Sequence, residues 1–101
     1  MYFLFIFLSV NNAGVGMIGP FETQSTSKVR SMFATNVYGP IYLTQKILPF
    51  WKGSKSGHVI MVTSVAGLTG FPFNSTYCAS KFALEGFSES LAAECADFDI
   101  K

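Results

Sequence analysis

The sequence predicts an α/β fold: strand, helix, strand, helix, taken from a doubly wound parallel sheet. Three observations lead there. The runs Phe3-Leu4-Phe5-Ile6-Phe7-Leu8-Ser9-Val10 and His58-Val59-Ile60-Met61-Val62-Thr63-Ser64 are nearly continuous apolar stretches of strand length, the pattern of strands buried on both faces. Between and after them, apolar residues recur at helical spacing instead. Each change of period is marked by glycine, proline or asparagine, the residues that interrupt regular structure. Two strands joined through a helix imply a right-handed parallel crossover.

The first strand, residues 3–10, stops at Asn11-Asn12-Ala13-Gly14. The opening apolar run could pass for part of a signal peptide or a membrane anchor. It has no basic start and no polar cleavage region, however, and is shorter than the roughly 20 residues that cross a bilayer, so a buried strand is the preferred reading. Gly14, Gly16, Gly19 and Pro20 then mark an irregular loop. From about 27 to 51, Val29, Met32, Phe33, Val37, Ile41, Leu43, Ile47 and Leu48 share one helical face, with residues 25–27 as capping candidates. Gly39-Pro40 should strain this helix near its middle, because proline lacks the N–H expected at that turn. Lys52-Gly53-Ser54-Lys55-Ser56-Gly57 connects it to the second strand, residues 58–64. A glycine-rich apolar loop follows, from Ala66 through Phe71-Pro72-Phe73. Asn74-Ser75 can cap a last helix over about 75–97, which carries Phe82, Leu84, Phe87 and Leu91.

A chain of 101 residues forms one compact unit at most. Hydrophobic residues make up 50% of it and charged residues 13%, against about 25% charged in an average soluble domain. That is too little polar material to cover a small globule, so residues 1–101 read as the interior layers of a larger domain. The net charge of +1 comes without a basic stripe, since Lys28, Arg30, Lys46, Lys52 and Lys55 are scattered, and nucleic acid is not suggested as a partner. Cys78 and Cys95 fall on one predicted helix about 25 Å apart, too far for a disulfide. They read as reduced residues of a reducing, cytoplasmic compartment, with membrane association the less favoured alternative. No Cys/His cluster has metal-ligand spacing, and the single histidine, His58, reads as a polar residue opening a strand.

The chemistry lies in Tyr77-Cys78-Ala79-Ser80-Lys81. At i and i+4 on a helix, a phenol and an ammonium share one face, where the cation can make a weak acid usable near neutral pH. Ser64 ends an apolar strand upstream, and Asn36 sits within the first helix. Together with Asn11-Asn12-Ala13-Gly14, these residues resemble the middle of a short-chain dehydrogenase/reductase. Tyr77 through Phe87, with Glu89-Ser90-Leu91, is most similar to the branch containing retinol and 17β-hydroxysteroid dehydrogenases.

The resemblance implies a partial Rossmann-like domain that uses NAD or NADP to interconvert an alcohol and a carbonyl by hydride transfer. Tyr77 would exchange a proton with the substrate oxygen. Lys81 would supply the cation and bind the nicotinamide ribose, Ser64 would hold the substrate oxygen, and Asn36 would help hold a water on the proton path. Asn11, Ala13 and Gly14 would border the adenosine half of the cofactor. Phe71, Pro72 and Phe73 would present an apolar wall to a small-molecule substrate, which favours a lipid-like alcohol or ketone. The family's Gly-x3-Gly-x-Gly turn, which lets a backbone approach the pyrophosphate, is not matched by Gly14-Val15-Gly16 or by Gly67 to Gly70. Residues 1–101 are therefore expected to be inactive alone. In the parent enzyme the two long helices would pack against a second subunit as a homo-oligomer. That suggests an alternative, a non-catalytic interaction protein associating through the same helices.

Overall fold

The computed structural model describes residues 8–11, 14, 16–61, 64–98 and 100. Two strands, β1 (Leu8–Asn11) and β2 (His58–Met61), run parallel, with Leu8 opposite His58 and Asn11 opposite Met61. The parallel pair with a helical connection is the arrangement that the alternating periods predict. Residues 3–7, 62 and 63 of the expected strands lie outside the described residues. His58 does open β2.

The long first helix is built in three parts. It runs as α1 (Thr26–Phe33), a π-helical segment (Ala34–Tyr38) and α2 (Gly39–Ser54). Ser25 caps α1, its hydroxyl accepting the Lys28 N–H at 3.2 Å. The π segment falls where Gly39-Pro40 should strain the helix. Pro40 has no N–H for the carbonyl one α-turn back, and its ring would press on that carbonyl. The wider turn relieves this, and the Gly39 N–H reaches back to the Ala34 carbonyl. A second proline inside the helix, Pro49, leaves α2 continuous to Ser54.

The last helix, α3 (Ser75–Cys95), ends in a short 3-10 turn, Ala96–Phe98, within a residue of expectation. Its start differs from the sequence reading. Asn74 holds the N-cap position, but its side chain makes no capping hydrogen bond, and only its carbonyl engages the helix, accepting from the Cys78 N–H at 2.8 Å. Both cysteines lie buried and unbridged on α3.

Trp51, Cys95 and Ile100 form a buried cluster, with Ile47, Leu48, Val59, Leu91 and Phe98 packed around it. Full burial of side chains of this size stabilises by about 1.5–3 kcal/mol each, so the cluster anchors α2 and α3 to one face of β2. Gly57 permits it: at φ +156 a Cβ there would lie inside the Trp51 indole. The expectation of strands buried on both faces fails at β2, where His58 and Ile60 are exposed and Val59 and Met61 are half-buried. Among the described residues, helices cover only the Val59 face. No helix of the described residues is long and apolar enough to cross a membrane.

Candidate active site

Tyr77 and Lys81 stand one turn apart on α3, and the Lys81 Nζ lies 5.7 Å from the centroid of the Tyr77 ring. Lys81 is only 5% exposed. A buried ammonium is costly unless polar groups surround it. No ion pair to Lys81 forms among the described residues. What lies beside it is Gly14: a Cβ on that glycine would sit 3.3 Å from Lys81 Nζ and 3.6 Å from Asn36 Oδ1. The loop after β1, the π segment and α3 therefore meet at one point.

Asn36 is fully buried in the π segment, and its Nδ2 donates to Ser80 Oγ at 3.2 Å. The Ser80 hydroxyl in turn donates to the Tyr77 carbonyl at 2.7 Å. This chain of bonds fixes Asn36 against the turn of α3 that carries Tyr77 and Lys81. The extra residue in a π turn rotates what precedes it about the helix axis, so the irregularity that accommodates Pro40 also sets where Asn36 points. Ser80 is a positioning residue that the sequence reading did not single out. Its one signal was a small polar side chain at i+3 from Tyr77, on the face that must bury.

Ser64 precedes a 3-10 turn (Val65–Gly67) packed on α3. Its carbonyl accepts the Gly67 N–H at 2.8 Å, and its hydroxyl oxygen accepts the Ala66 N–H at 2.9 Å. A hydroxyl that accepts in this way still carries a proton it can donate. Gly67 allows the close approach, since a Cβ there would come within 3.2 Å of the Lys81 carbonyl. Asn11 ends β1, whereas Ala13 lies outside the described residues. Of the expected site, Gly14, Asn36, Tyr77 and Lys81 are thus gathered, with Ser64 on the turn that packs against their helix. No group of acidic, histidine and cysteine side chains among the described residues could hold a metal ion.

A buried ammonium with neutral surroundings is one that a nicotinamide dinucleotide could suit. Ribose hydroxyls are neutral acceptors, able to satisfy a lysine that no carboxylate of the described residues neutralises, and Gly14 leaves the space beside it open. Gly14→Ala should test this crowding. The added methyl must push the flexible lysine end by a few tenths of an ångström, so we expect stability to change by less than about 1 kcal/mol and, once these residues replace the matching segment of a full-length relative, dinucleotide affinity to fall severalfold. Thermal melting and a binding titration on the same variant check the two halves.

Residues 6–101 match the family model described as short chain dehydrogenase. The chain belongs to that family. Over 91 residues it is 48% identical to retinol dehydrogenase 8 of Bos taurus and 47% identical to 17-beta-hydroxysteroid dehydrogenase type 1 of Homo sapiens, each match covering 90% of this chain. It spans only 29% and 28% of those two proteins' own lengths. Among solved structures, a metagenomic short-chain oxidoreductase in complex with NADP superimposes with a TM-score of 0.89 at 33% identity, covering 93% of this chain and 42% of that one. A 4-hydroxyisoleucine dehydrogenase complexed with NADH gives the same TM-score at 29% identity, over 94% and 42%. The fold is therefore the Rossmann-like fold of this family of NAD(P)-dependent oxidoreductases.

Proposed function

We propose that this chain carries the proton-handling part of an oxidoreductase that interconverts an alcohol and a carbonyl. The observation that supports this most is the buried Lys81 ammonium beside Tyr77, bordered by Gly14 and Asn36. A bound NAD or NADP supplies the hydride chemistry. Tyr77 Oη gives its proton to the substrate oxygen in reduction and takes it back in oxidation. Lys81 stabilises the phenolate left behind and holds the dinucleotide's ribose. The Ser64 hydroxyl donates to the substrate oxygen as charge develops there. Asn36 holds the lysine side of the site and a water that returns protons from solvent.

The branch of similar proteins supports an apolar alcohol or ketone as substrate, and Phe71 and Phe73, both exposed on the loop before α3, supply apolar surface for one. Self-association through the long helices is part of the same proposal. Tyr38 and Tyr42 stack at 5.9 Å, and with Leu43 and Phe50 they are exposed on the π segment and α2, as is Phe82 on α3. That surface is also the observation favouring a second reading, an interaction protein without turnover. The test is a graft in which these residues replace the segment they match in bovine retinol dehydrogenase 8. Dinucleotide-dependent oxidation of retinol by the graft is expected. A graft that melts cooperatively and binds dinucleotide yet gives no turnover overturns the catalytic reading and leaves the interaction one.

A further inference from the structure

Two loops border the site: residues 16–25 after β1 and residues 68–74 before α3. A ring of hydrogen bonds joins them. The Gly19 N–H donates to the Phe73 carbonyl at 2.9 Å. Across the same junction, Gln24 Nε2 donates to the Gly19 carbonyl at 3.1 Å, and Gln24 Oε1 accepts the Thr76 hydroxyl at 2.6 Å. The Thr76 hydroxyl also faces Met17 Sδ at 3.9 Å. One carboxamide, used as donor and acceptor at once, thus ties the first loop to the residue next to Tyr77.

Two further observations give this ring a purpose. Asn74 leaves α3 without a side-chain cap, so the orientation of its first turn depends on other contacts. Thr76, within that turn, has its bond to Gln24. The second observation is strain: Phe73 is left-handed at φ 64, a conformation that is unfavourable for a residue with a Cβ. Its side chain is 61% exposed, so packing does little to offset that cost. What the conformation does accompany is the bond from Gly19, itself at φ +147. Strain of this kind persists where surrounding contacts over-determine the backbone.

We propose that Gln24 is a positioning residue: through Thr76 it sets the first turn of α3, and so where the Tyr77 phenol meets the reacting oxygen. This rests on the proposed function above. The carboxamide is required as such, because a methionine of similar shape cannot donate to Gly19 and offers Thr76 only a weak thioether acceptor, and a carboxylate can only accept.

The experiment uses the graft with Gln24→Met, Thr76→Val, their combination, Thr76→Ser and Tyr77→Phe, measuring kcat, KM, dinucleotide affinity and hydrogen exchange at the Tyr77 and Cys78 amides. Gln24→Met and Thr76→Val should each lower kcat about tenfold, with dinucleotide affinity unchanged and exchange at both amides accelerated. The double variant should be no worse than either single one, since both break the same link. Thr76→Ser should restore kcat to within about twofold, which a lost packing contact would not predict. Unchanged kcat in folded Thr76→Val, or additive losses in the double variant, overturns the proposal, and Thr76→Val decides alone if Gln24→Met does not fold. Should Tyr77→Phe retain turnover, the catalytic reading itself is wrong. If Tyr77→Phe is dead while Thr76→Val is fully active, only the role of Gln24 is refuted.

Discussion

Replacing Tyr77 with phenylalanine in the graft should lower kcat by about a thousandfold while leaving dinucleotide affinity within about twofold. The substitution removes one oxygen and keeps the ring. Lys81 Nζ, 5.7 Å from the ring centroid, retains its cation–π contact, and Tyr77 is only half-buried, so folding should be little affected. What disappears is the proton donor. General acid–base catalysis typically contributes between about a hundredfold and ten-thousandfold, and the water that replaces the phenol is neither positioned nor activated by Lys81. Steady-state kinetics paired with a binding titration separates this from a loss of cofactor. Turnover unchanged by Tyr77→Phe would mean that the proton moves elsewhere, and Ser64 would be the next group to test.

The elements that follow from hydrophobic period were legible in the sequence. Both strands, both long helices and the parallel pairing depend on runs of apolar residues and on the glycine and proline punctuation between them, which are local signals. The π segment was only half legible. Gly39-Pro40 announced a disturbance, but Val29, Met32, Phe33, Val37 and Ile41 keep an apparently helical spacing across it, so the change in the hydrogen-bond ladder left no mark in the pattern. The approach of Gly14 to Lys81 and Asn36, and the Ser80 bridge between Asn36 and Tyr77, join segments far apart in sequence. Single-sequence periodicity carries no information about such pairs; the motif located the residues and the fold brought them together. Asn74 shows the opposite failure, a strong local preference for capping that the backbone does not use, since α3 starts with Asn74 at φ −128 and ψ 26, outside the extended conformation typical of a capping residue.

Residues 1–101 taken alone should bind neither NADH nor NADPH at micromolar concentration and should self-associate. The binding argument is one of missing contacts. Lys81 and Gly14 can meet a ribose, but the pyrophosphate needs a backbone that approaches it closely at a helix N-terminus, and these residues contain no Gly-x3-Gly-x-Gly turn to provide one. A single lysine–ribose contact cannot offset the cost of immobilising a dinucleotide, about 4 kcal/mol or more at standard concentration. The association argument is one of uncovered surface. The described sheet is a single parallel pair whose His58 and Ile60 face lacks a helix, and Ile18, Phe50 and Leu68 are each more than 70% exposed. Apolar surface and an unprotected strand edge together favour pairing with another chain. Sedimentation should therefore show species larger than the 11.0 kDa monomer, and calorimetry with either dinucleotide should show no saturable heat. A soluble monomer that binds either one would show that these strands and helices suffice as a minimal cofactor site, and the requirement for the glycine turn would have to be abandoned.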